Sequence, residues 1–230
     1  MVRLSVNVNK VATLRNSRGG QVPSVTEAVQ VILEAGARGI TVHPRADARH
    51  ITAQDVHDIA ALLAPRRDVV EFNIEGDPRP DLIALVRTVR PHQCTLVPVK
   101  AGEITSEAGW PPSTPLAALR TLIDDLHHDG VRVSVFVDPD VAAVEWAQAL
   151  GADRVELYTE PFARAFERGP DAAAGSFAIY ARAAEAAHRL GLAVNAGHDL
   201  DLGNLPLFRT LPYLAEVSIG HALISHALYV

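Results

Sequence analysis

Cysteine, aromatic residues and positive charge are all scarce in this 230-residue sequence. A single cysteine, Cys94, excludes an intrachain disulfide framework. Aromatic side chains make up 5% of the residues, and 21 Lys and Arg face 27 Asp and Glu, which gives a formal net charge of −6. This balance lacks the excess of basic residues that neutralises a nucleic acid backbone or an anionic membrane. We therefore expect no nucleic acid and no membrane as a partner.

Long apolar runs and linker sequences are missing too. No run approaches the ~20 apolar residues that a membrane-spanning helix needs. The first residues show neither the apolar core nor the cleavage site of a secretory signal, which leads us to expect a cytoplasmic protein. Because no Pro/Gly/Ser-rich stretch is long enough to divide the chain, we expect a single domain over residues 1–230.

Short β-branched and apolar runs alternate along the chain with segments of helical periodicity. The predicted strands are Leu4–Asn9, Gly39–His43, Val69–Ile74, Gln93–Pro98, Val131–Val137, Arg154–Thr159, Ala193–Gly197 and Glu216–Gly220. Strands that alternate with helices predict a parallel sheet, because parallel crossovers are long and usually helical. Eight such units predict an α/β protein with a (β/α)8 barrel, the TIM-barrel fold. An open doubly wound sheet is less favoured, because the first strand is not followed by a Gly-x-Gly-x-x-Gly turn.

Polar side chains lie in or directly after six of these predicted strands, nearly all towards the C-terminal end, where buried parallel strands are normally apolar. They are Asn7, Asn9, His43, Glu71, Asn73, Glu156, Asn195, His198 and His221. A single buried polar residue is usually just hydrogen-bonded in the core. Their convergence from six strands is more typical of an active site, which enzymes of this fold build at the C-terminal face of the barrel.

Glutamates and histidines inside a closed barrel suit general acid–base catalysis, because burial moves a carboxyl pKa towards neutrality, where histidine already titrates. Arg45 stands where a His-x-His metal pair would have its second ligand, so we expect no metal and an anionic substrate. Gly–His pairs at 197–198 and 220–221 follow the last two strands, where barrels often bind phosphate. A phosphorylated small molecule is the expected substrate. Lys10 leaves a Schiff-base mechanism open.

Six segments carry more specific signals in chain order. They are Asn7–Gly19, Gly39–Arg45, Arg49–Ile51, Leu96–Pro98, Val194–His198 and Val217–Ile224. Together they resemble the pyridoxine 5′-phosphate synthase family. The resemblance implies a (β/α)8 enzyme of vitamin B6 biosynthesis that condenses 3-amino-2-oxopropyl phosphate with 1-deoxy-D-xylulose 5-phosphate. It also implies no cofactor, because loss of water and phosphate needs no redox group, and a homo-oligomer, commonly an octamer.

The resemblance also implies a role for individual residues of this chain. Glu71 and His43 would accept protons, His198 would donate one, and Glu156 would stabilise a cationic or enol-like transition state. The implied substrate-binding residues are Asn7 and Arg18 for the amino-ketone phosphate, Arg45, His50 and Thr105 for the deoxyxylulose phosphate, and Gly220 and His221 for the phosphate kept in the product. Thr105 lies in the polar loop Lys100–Thr114, the longest candidate lid.

The sequence departs from the family pattern at a few positions. Asn9 and Lys10 replace an Asp–His pair that many members have, which favours anion binding there over proton transfer. Asp199 stands where glycine is common, which weakens any backbone contact to phosphate. All three stay among the candidate substrate-binding residues. Glu75 is a rival to Glu71 as the base, and Glu71 is preferred because it lies inside the predicted strand, where desolvation can tune it.

Three kinds of function remain open. A metal-free synthase is favoured over a barrel lyase that uses a metal or a Lys10 Schiff base. The third is a non-catalytic phosphosugar-binding homologue, suggested by Asn9 and Lys10 and by a short final helix. Because that helix is short, we expect barrel closure to be marginal or to depend on a neighbouring subunit.

Overall fold

A parallel β-barrel forms the centre of the protein. The computed structural model describes residues 2–98 and 106–230. Its strands close into a barrel in chain order, each paired in parallel with the next. They are β1 (Arg3–Asn7), β2 (Gly39–Val42), β3 (Glu71–Gly76), β4 (Gln93–Leu96), β5 (Arg132–Val137), β6 (Arg154–Tyr158), β7 (Ala193–Gly197) and β8 (Leu214–Ile219). The predicted (β/α)8 barrel is confirmed.

Helices surround the barrel and bury their apolar faces against it. Within the described ranges they are α1 (Asn9–Asn16), α2 (Val25–Glu34), α3 (Ala53–Leu63), α4 (Pro80–Val89), α5 (Leu116–His128), α6 (Val141–Leu150), α7 (Glu160–Glu167), α8 (Pro170–Arg189), α9 (Leu205–Phe208) and α10 (His221–His226). Thr52 and Asp55 form a reciprocal capping box that starts α3. Gly151 ends α6 in the left-handed conformation, with φ 86°, so the chain can turn directly into β6. No helix of residues 2–98 or 106–230 is both long and apolar enough to cross a membrane.

Closure of the sheet takes place within this one chain. β8 pairs with β1 from Arg3 opposite Glu216 to Val6 opposite Ile219. The sheet therefore closes without a strand from a neighbouring subunit, contrary to the expectation that closure depends on one. The final helix, α10, has six residues.

Alternate strand positions carry buried polar side chains that bond to one another. The Ser5 and Thr41 hydroxyls lie 2.7 Å apart, and the Thr95 hydroxyl donates to Asn73 Oδ1 at 3.0 Å. Successive side chains of a strand point to opposite faces, so these residues share one face of the barrel sheet while the intervening Val, Ile and Leu face the helices. The barrel therefore has an apolar outer layer and a polar interior.

Several observed strand limits differ from the predicted ones by one or two residues, and the differences in β1 and β3 change the place of a predicted site residue. β1 ends at Asn7, so Asn9 is the first residue of α1 and does not end the strand. β3 runs two residues later than predicted. The Val69–Val70 pair that suggested an earlier start belongs to a turn, because both backbone amides donate to the Arg66 carbonyl, at 3.0 and 2.9 Å.

The later start of β3 places Glu71 at the N-terminal end of the barrel, which corrects its predicted place inside the strand. Its carboxylate contacts Arg3 Nη1 at 3.2 Å, Arg154 Nη1 at 3.3 Å and Arg132. Each of these arginines begins its own strand. Glu71 therefore holds four strand starts together through one cluster of charges.

We expect replacement of Glu71 by Gln to destabilise the fold, because three arginines lose their shared carboxylate. The free energy of unfolding should fall by roughly 2–3 kcal/mol, since breaking a fully buried pair costs somewhat more and Arg3 and Arg132 are partly exposed. Urea unfolding followed by circular dichroism measures the change. Glu34→Gln, on the exposed surface of α2, is the matched control. Equal effects of the two substitutions would contradict this role of Glu71.

Candidate active site

A cavity of about 440 Å³ lies at the C-terminal ends of the strands. It brings together ten of the residues predicted from the sequence. They are Asn7, Asn9, Lys10, Arg45, His50, Glu156, His198, Asp199, Gly220 and His221. Glu75, the rival to Glu71, also lines the cavity, as do Thr13, Arg49 and Ser218. A second, mostly apolar cavity of about 900 Å³ lies beside α10 and holds none of the four predicted catalytic residues.

Glu75 and Glu156 are the buried carboxyl groups of the cavity, with 8% and 4% of their surfaces exposed. Burial raises the pKa of Glu75 well above its usual value, and the charges of Glu156 and Glu216 raise it further. Burial, followed by the charge of Glu216, raises the pKa of Glu156 to about 8. Both groups therefore hold a proton more strongly than an exposed glutamate does, and Glu156 exchanges protons close to neutral pH.

Gly197, the last residue of β7, makes room for the Glu156 carboxyl group. A Cβ at this position would lie 2.5 Å from Glu156 Oε1. Since real Cβ contacts are longer, any larger residue at position 197 would displace the carboxyl group. The glycine is thus a requirement of the site rather than of the turn that follows it.

His43 extends from the end of β2 towards Glu75, with Nδ1 and Oε2 3.8 Å apart. Its pKa is lowered well below the usual value by burial and then by the charges of Arg45, His50, Arg79 and His198. The imidazole is therefore neutral near pH 7. Its buried Nε2 atom has no hydrogen-bond partner among the described residues. A neutral imidazole of this kind can take up a proton from a substrate.

Asn9 connects the ends of β1 and β2. Its backbone amide donates to Asn7 Oδ1 at 3.0 Å, and its own Oδ1 accepts a hydrogen bond from the His43 backbone amide at 2.9 Å. Sequence reasoning assigned Asn9 to substrate binding alone. The structure adds that Asn9 fixes the position of His43.

Arg45 and His50 form a cationic wall of the cavity together with Lys10. The His50 ring accepts the Ile51 backbone N–H at Nδ1, at 2.9 Å, so the proton of the neutral ring is on Nε2. Burial lowers the pKa of His50 to about 4, with Arg45 and Lys10 adding to the effect. Two fixed cations beside a neutral N–H donor are suited to binding a phosphate.

His198 follows β7 on the other side of the cavity. Its ring centroid lies 5.7 Å from that of Phe136 and 5.3 Å from that of Tyr158. Burial lowers its pKa; Arg45 lowers it further, while Asp199 raises it. Its backbone is in the left-handed region, with φ 87°.

Two predicted residues, Glu71 and Arg18, are not brought into this site, and His43 contacts Glu75 without lining the cavity. Glu71 lies four residues before Glu75 in β3, about 13 Å away along the strand. Arg18 is exposed in the turn after α1 and does not line the cavity. Thr105 lies outside the described residues. The strand's alternation could have identified Glu75, because it puts Glu75 on the face of Asn73, one step nearer the C-terminal end.

A metal site is not formed by the described residues, since no three of their His, Cys, Asp or Glu side chains come together in a suitable way.

Solved structures share the fold at low sequence identity. The YdjI aldolase from Escherichia coli K12 has a TM-score of 0.65 and 11% identity, with 99% of this chain and 78% of that chain covered. Phosphoribosyl anthranilate isomerase from Thermus thermophilus has a TM-score of 0.57 and 13% identity, with coverage of 96% and 88%. At these identities the likeness shows the fold alone.

Sequence comparison is more specific. The chain is 53% identical over 230 residues to the pyridoxine 5′-phosphate synthase of Bacteroides fragilis strain YCH46, covering 100% of this chain and 94% of that protein. It is 49% identical over 238 residues to the synthase of Leptospira biflexa, with coverage of 99% and 92%. The profile of the family described as "Pyridoxal phosphate biosynthesis protein PdxJ" matches residues 4–230. This chain belongs to the PdxJ family.

Proposed function

We propose that this chain is a pyridoxine 5′-phosphate synthase. It condenses 3-amino-2-oxopropyl phosphate with 1-deoxy-D-xylulose 5-phosphate and forms pyridoxine 5′-phosphate, inorganic phosphate and water. The observation that carries this proposal is one cavity in which buried carboxyl groups and neutral imidazoles face a cationic wall. Relatives at about half identity that bear this name support it over the whole chain. The same family resemblance supports a cytoplasmic homo-oligomer, commonly an octamer.

Proton abstraction is assigned to Glu75 and His43. Glu75 replaces Glu71 as the proposed base, because it lines the cavity and its carboxyl group is 3.8 Å from His43. A base with a raised pKa holds an abstracted proton more strongly than an ordinary carboxylate. The neutral His43 ring beside it offers a second acceptor, so successive dehydrations have two groups between which protons can pass.

Proton donation is assigned to His198. Oxygen leaves the substrates as water, and each departing hydroxyl group needs a proton. A phosphate dianion bound beside Arg45 and Lys10 offsets the two charges that lower the pKa of His198. Substrate binding thereby raises that pKa and favours the protonated, donating form of the ring.

Glu156 is assigned to charge stabilisation. The substrate amine and the ketone of the second substrate join through a species that carries positive charge on nitrogen. A pKa of about 8 leaves Glu156 mostly protonated near pH 7, but a positive charge beside it lowers that pKa. The buried carboxylate that forms then stabilises the charge more than water does, because the surroundings do not have to reorganise. Gly197 keeps the Glu156 carboxyl group at this place.

Phosphate binding is divided between two parts of the cavity. Arg45 and His50 hold the deoxyxylulose phosphate, and Lys10 adds a cation. Gly220 and His221 hold the phosphate kept in the product. A Cβ at Gly220 would lie 2.6 Å from the Asn7 carbonyl oxygen, so glycine allows β1 and β8 to approach closely there.

Asn7, Asn9 and Asp199 complete the proposed substrate contacts, because all three line the cavity. Arg18 and Thr105 are proposed contacts on the resemblance alone. Arg18 is exposed away from the cavity, so binding through it would require that turn to move or another subunit to approach.

Direct assay tests the proposed activity. Chelator-treated protein mixed with both phosphorylated substrates should form pyridoxine 5′-phosphate, followed by its fluorescence, and an equal amount of inorganic phosphate. Omission of either substrate is the control. Binding of both substrates by calorimetry without turnover would identify a non-catalytic homologue. Activity that returns only on addition of a divalent metal, or borohydride trapping on Lys10, would identify a different lyase.

A pair of substitutions in β3 tests which carboxyl group is the base. Glu75→Gln should lower kcat by about 100-fold or more while KM changes little, because an acid–base group contributes on the order of 10²–10⁴ to the rate. Glu71→Gln is the matched control in the same strand, and its kcat should stay near that of the unchanged enzyme at a temperature where both are folded. The opposite result, an inactive Glu71→Gln and an active Glu75→Gln, would return the role to Glu71.

A further inference from the structure

Thr159, between β6 and α7, is fully buried and makes three contacts with the end of β7. Its hydroxyl group donates to the Gly197 carbonyl at 2.7 Å and also contacts the His198 carbonyl oxygen. Its backbone N–H donates to the same Gly197 carbonyl at 3.0 Å. One threonine therefore holds both carbonyl groups that precede and follow the Cα of His198.

The hydroxyl group of Thr159 does not cap α7, although Thr159 is the residue that precedes this helix. Thr159 is the residue before α7, where a threonine side chain commonly accepts a hydrogen bond from the first turn of its own helix. No such bond is present at this helix. The side chain turns towards β7 instead. Its hydroxyl group bonds to the end of that strand, and the first turn of α7 is left without a side-chain cap.

The backbone that Thr159 contacts is strained. His198 and Asp199 have φ values of 87° and 55°, in the left-handed region that residues with a Cβ seldom adopt. Such a conformation persists only where surrounding contacts impose it. The Asp199 carbonyl is held as well, by the Asn204 side-chain amide at 3.0 Å. Side chains from outside the turn thus fix the carbonyl groups of both strained residues.

We propose that Thr159 is a positioning residue for His198: its hydroxyl group holds the strained turn that keeps the imidazole packed against Phe136 and Tyr158 and in contact with the cavity. The inference rests on the proposed function, in which His198 is the proton donor. Proton transfer depends steeply on distance and angle, so a small rotation of the 198–199 peptide is sufficient to weaken it. Thr159 itself does not line the cavity.

Two substitutions of Thr159 separate the hydroxyl group from the space it fills. Thr159→Val keeps the shape and the backbone hydrogen bond and removes both contacts of the hydroxyl group; Thr159→Ser keeps the hydroxyl group. We expect Thr159→Val to lower kcat about 10-fold or more with KM for both substrates within about twofold, since a transition-state contact is lost and binding is kept. Thr159→Ser should retain at least about half of the unchanged kcat. Equal activity of the two variants would overturn the proposal.

A double-mutant cycle with His198→Asn tests whether Thr159 acts through His198. In the His198→Asn background, Thr159→Val should change kcat by less than about twofold, because the group it positions is already gone. An equal loss in both backgrounds would show a general structural role and overturn the proposal. Unchanged kcat in His198→Asn alone would instead remove His198 from the proposed function, and this role of Thr159 with it.

Nitrogen-15 NMR of histidine side chains detects a change in the surroundings of the His198 ring without an activity measurement. Thr159→Val should shift the imidazole resonances of His198, identified by their loss in His198→Asn, and leave those of His127 on α5 unchanged. Unmoved His198 resonances would contradict the proposal even where kcat falls. Should Thr159→Val fail to fold, Thr159→Ala takes its place in each comparison with Thr159→Ser.

Discussion

Closure of the barrel is the constraint on which the other features depend. It buries alternate positions of every strand, and in this chain many of those positions are polar. Some hydroxyl and amide side chains bond to one another, as Ser5 does to Thr41 and Thr95 does to Asn73. Carboxyl groups in the same interior meet no such full set of partners, and burial moves their pKa values upward. The geometry of the fold therefore produces carboxyl groups that hold a proton more strongly than an exposed glutamate does.

Carboxyl groups are paired with arginines at the N-terminal end of the barrel, whereas those at the C-terminal end are buried and have raised pKa values. At the N-terminal end, Glu71 is surrounded by arginines that begin β1, β5 and β6, and the cluster stabilises the strand starts. At the C-terminal end, Glu75 and Glu156 are buried in the wall of one cavity, and the cations Arg45 and Lys10 line it too. Stability at one end and reactivity at the other is the usual division in this fold.

Much of this organisation could be predicted from the sequence. The spacing of apolar residues indicates the strands and helices, and polar residues in otherwise apolar strands indicate the site. Alternation of strands and helices is sufficient to predict the barrel, and His43, Glu156 and His198 stand out as polar residues in apolar strands or directly after them. The start of β3 could not be predicted, because Val69 and Val70 have strand propensity and are held in a turn by the Arg66 carbonyl. Because of that two-residue error, Glu71 was expected inside the strand and Glu75 just after it, whereas Glu71 begins the strand and Glu75 lies near its C-terminal end. The contacts of Thr159 with β7 depend on tertiary structure and leave no local signal in the sequence.

Carbon-13 NMR of glutamate carboxyl groups, followed as a function of pH, measures the property that the closed barrel confers on this site. Glu75→Gln and Glu156→Gln identify the two signals by their loss. Both carboxyl groups should titrate well above the ordinary glutamate value, Glu156 at about 8, and loss of Glu156 should lower the midpoint of Glu75 because one repelling charge is removed. Midpoints below about 5 for both groups, close to the value of an exposed glutamate, would contradict the view that burial in the barrel makes these carboxyl groups reactive.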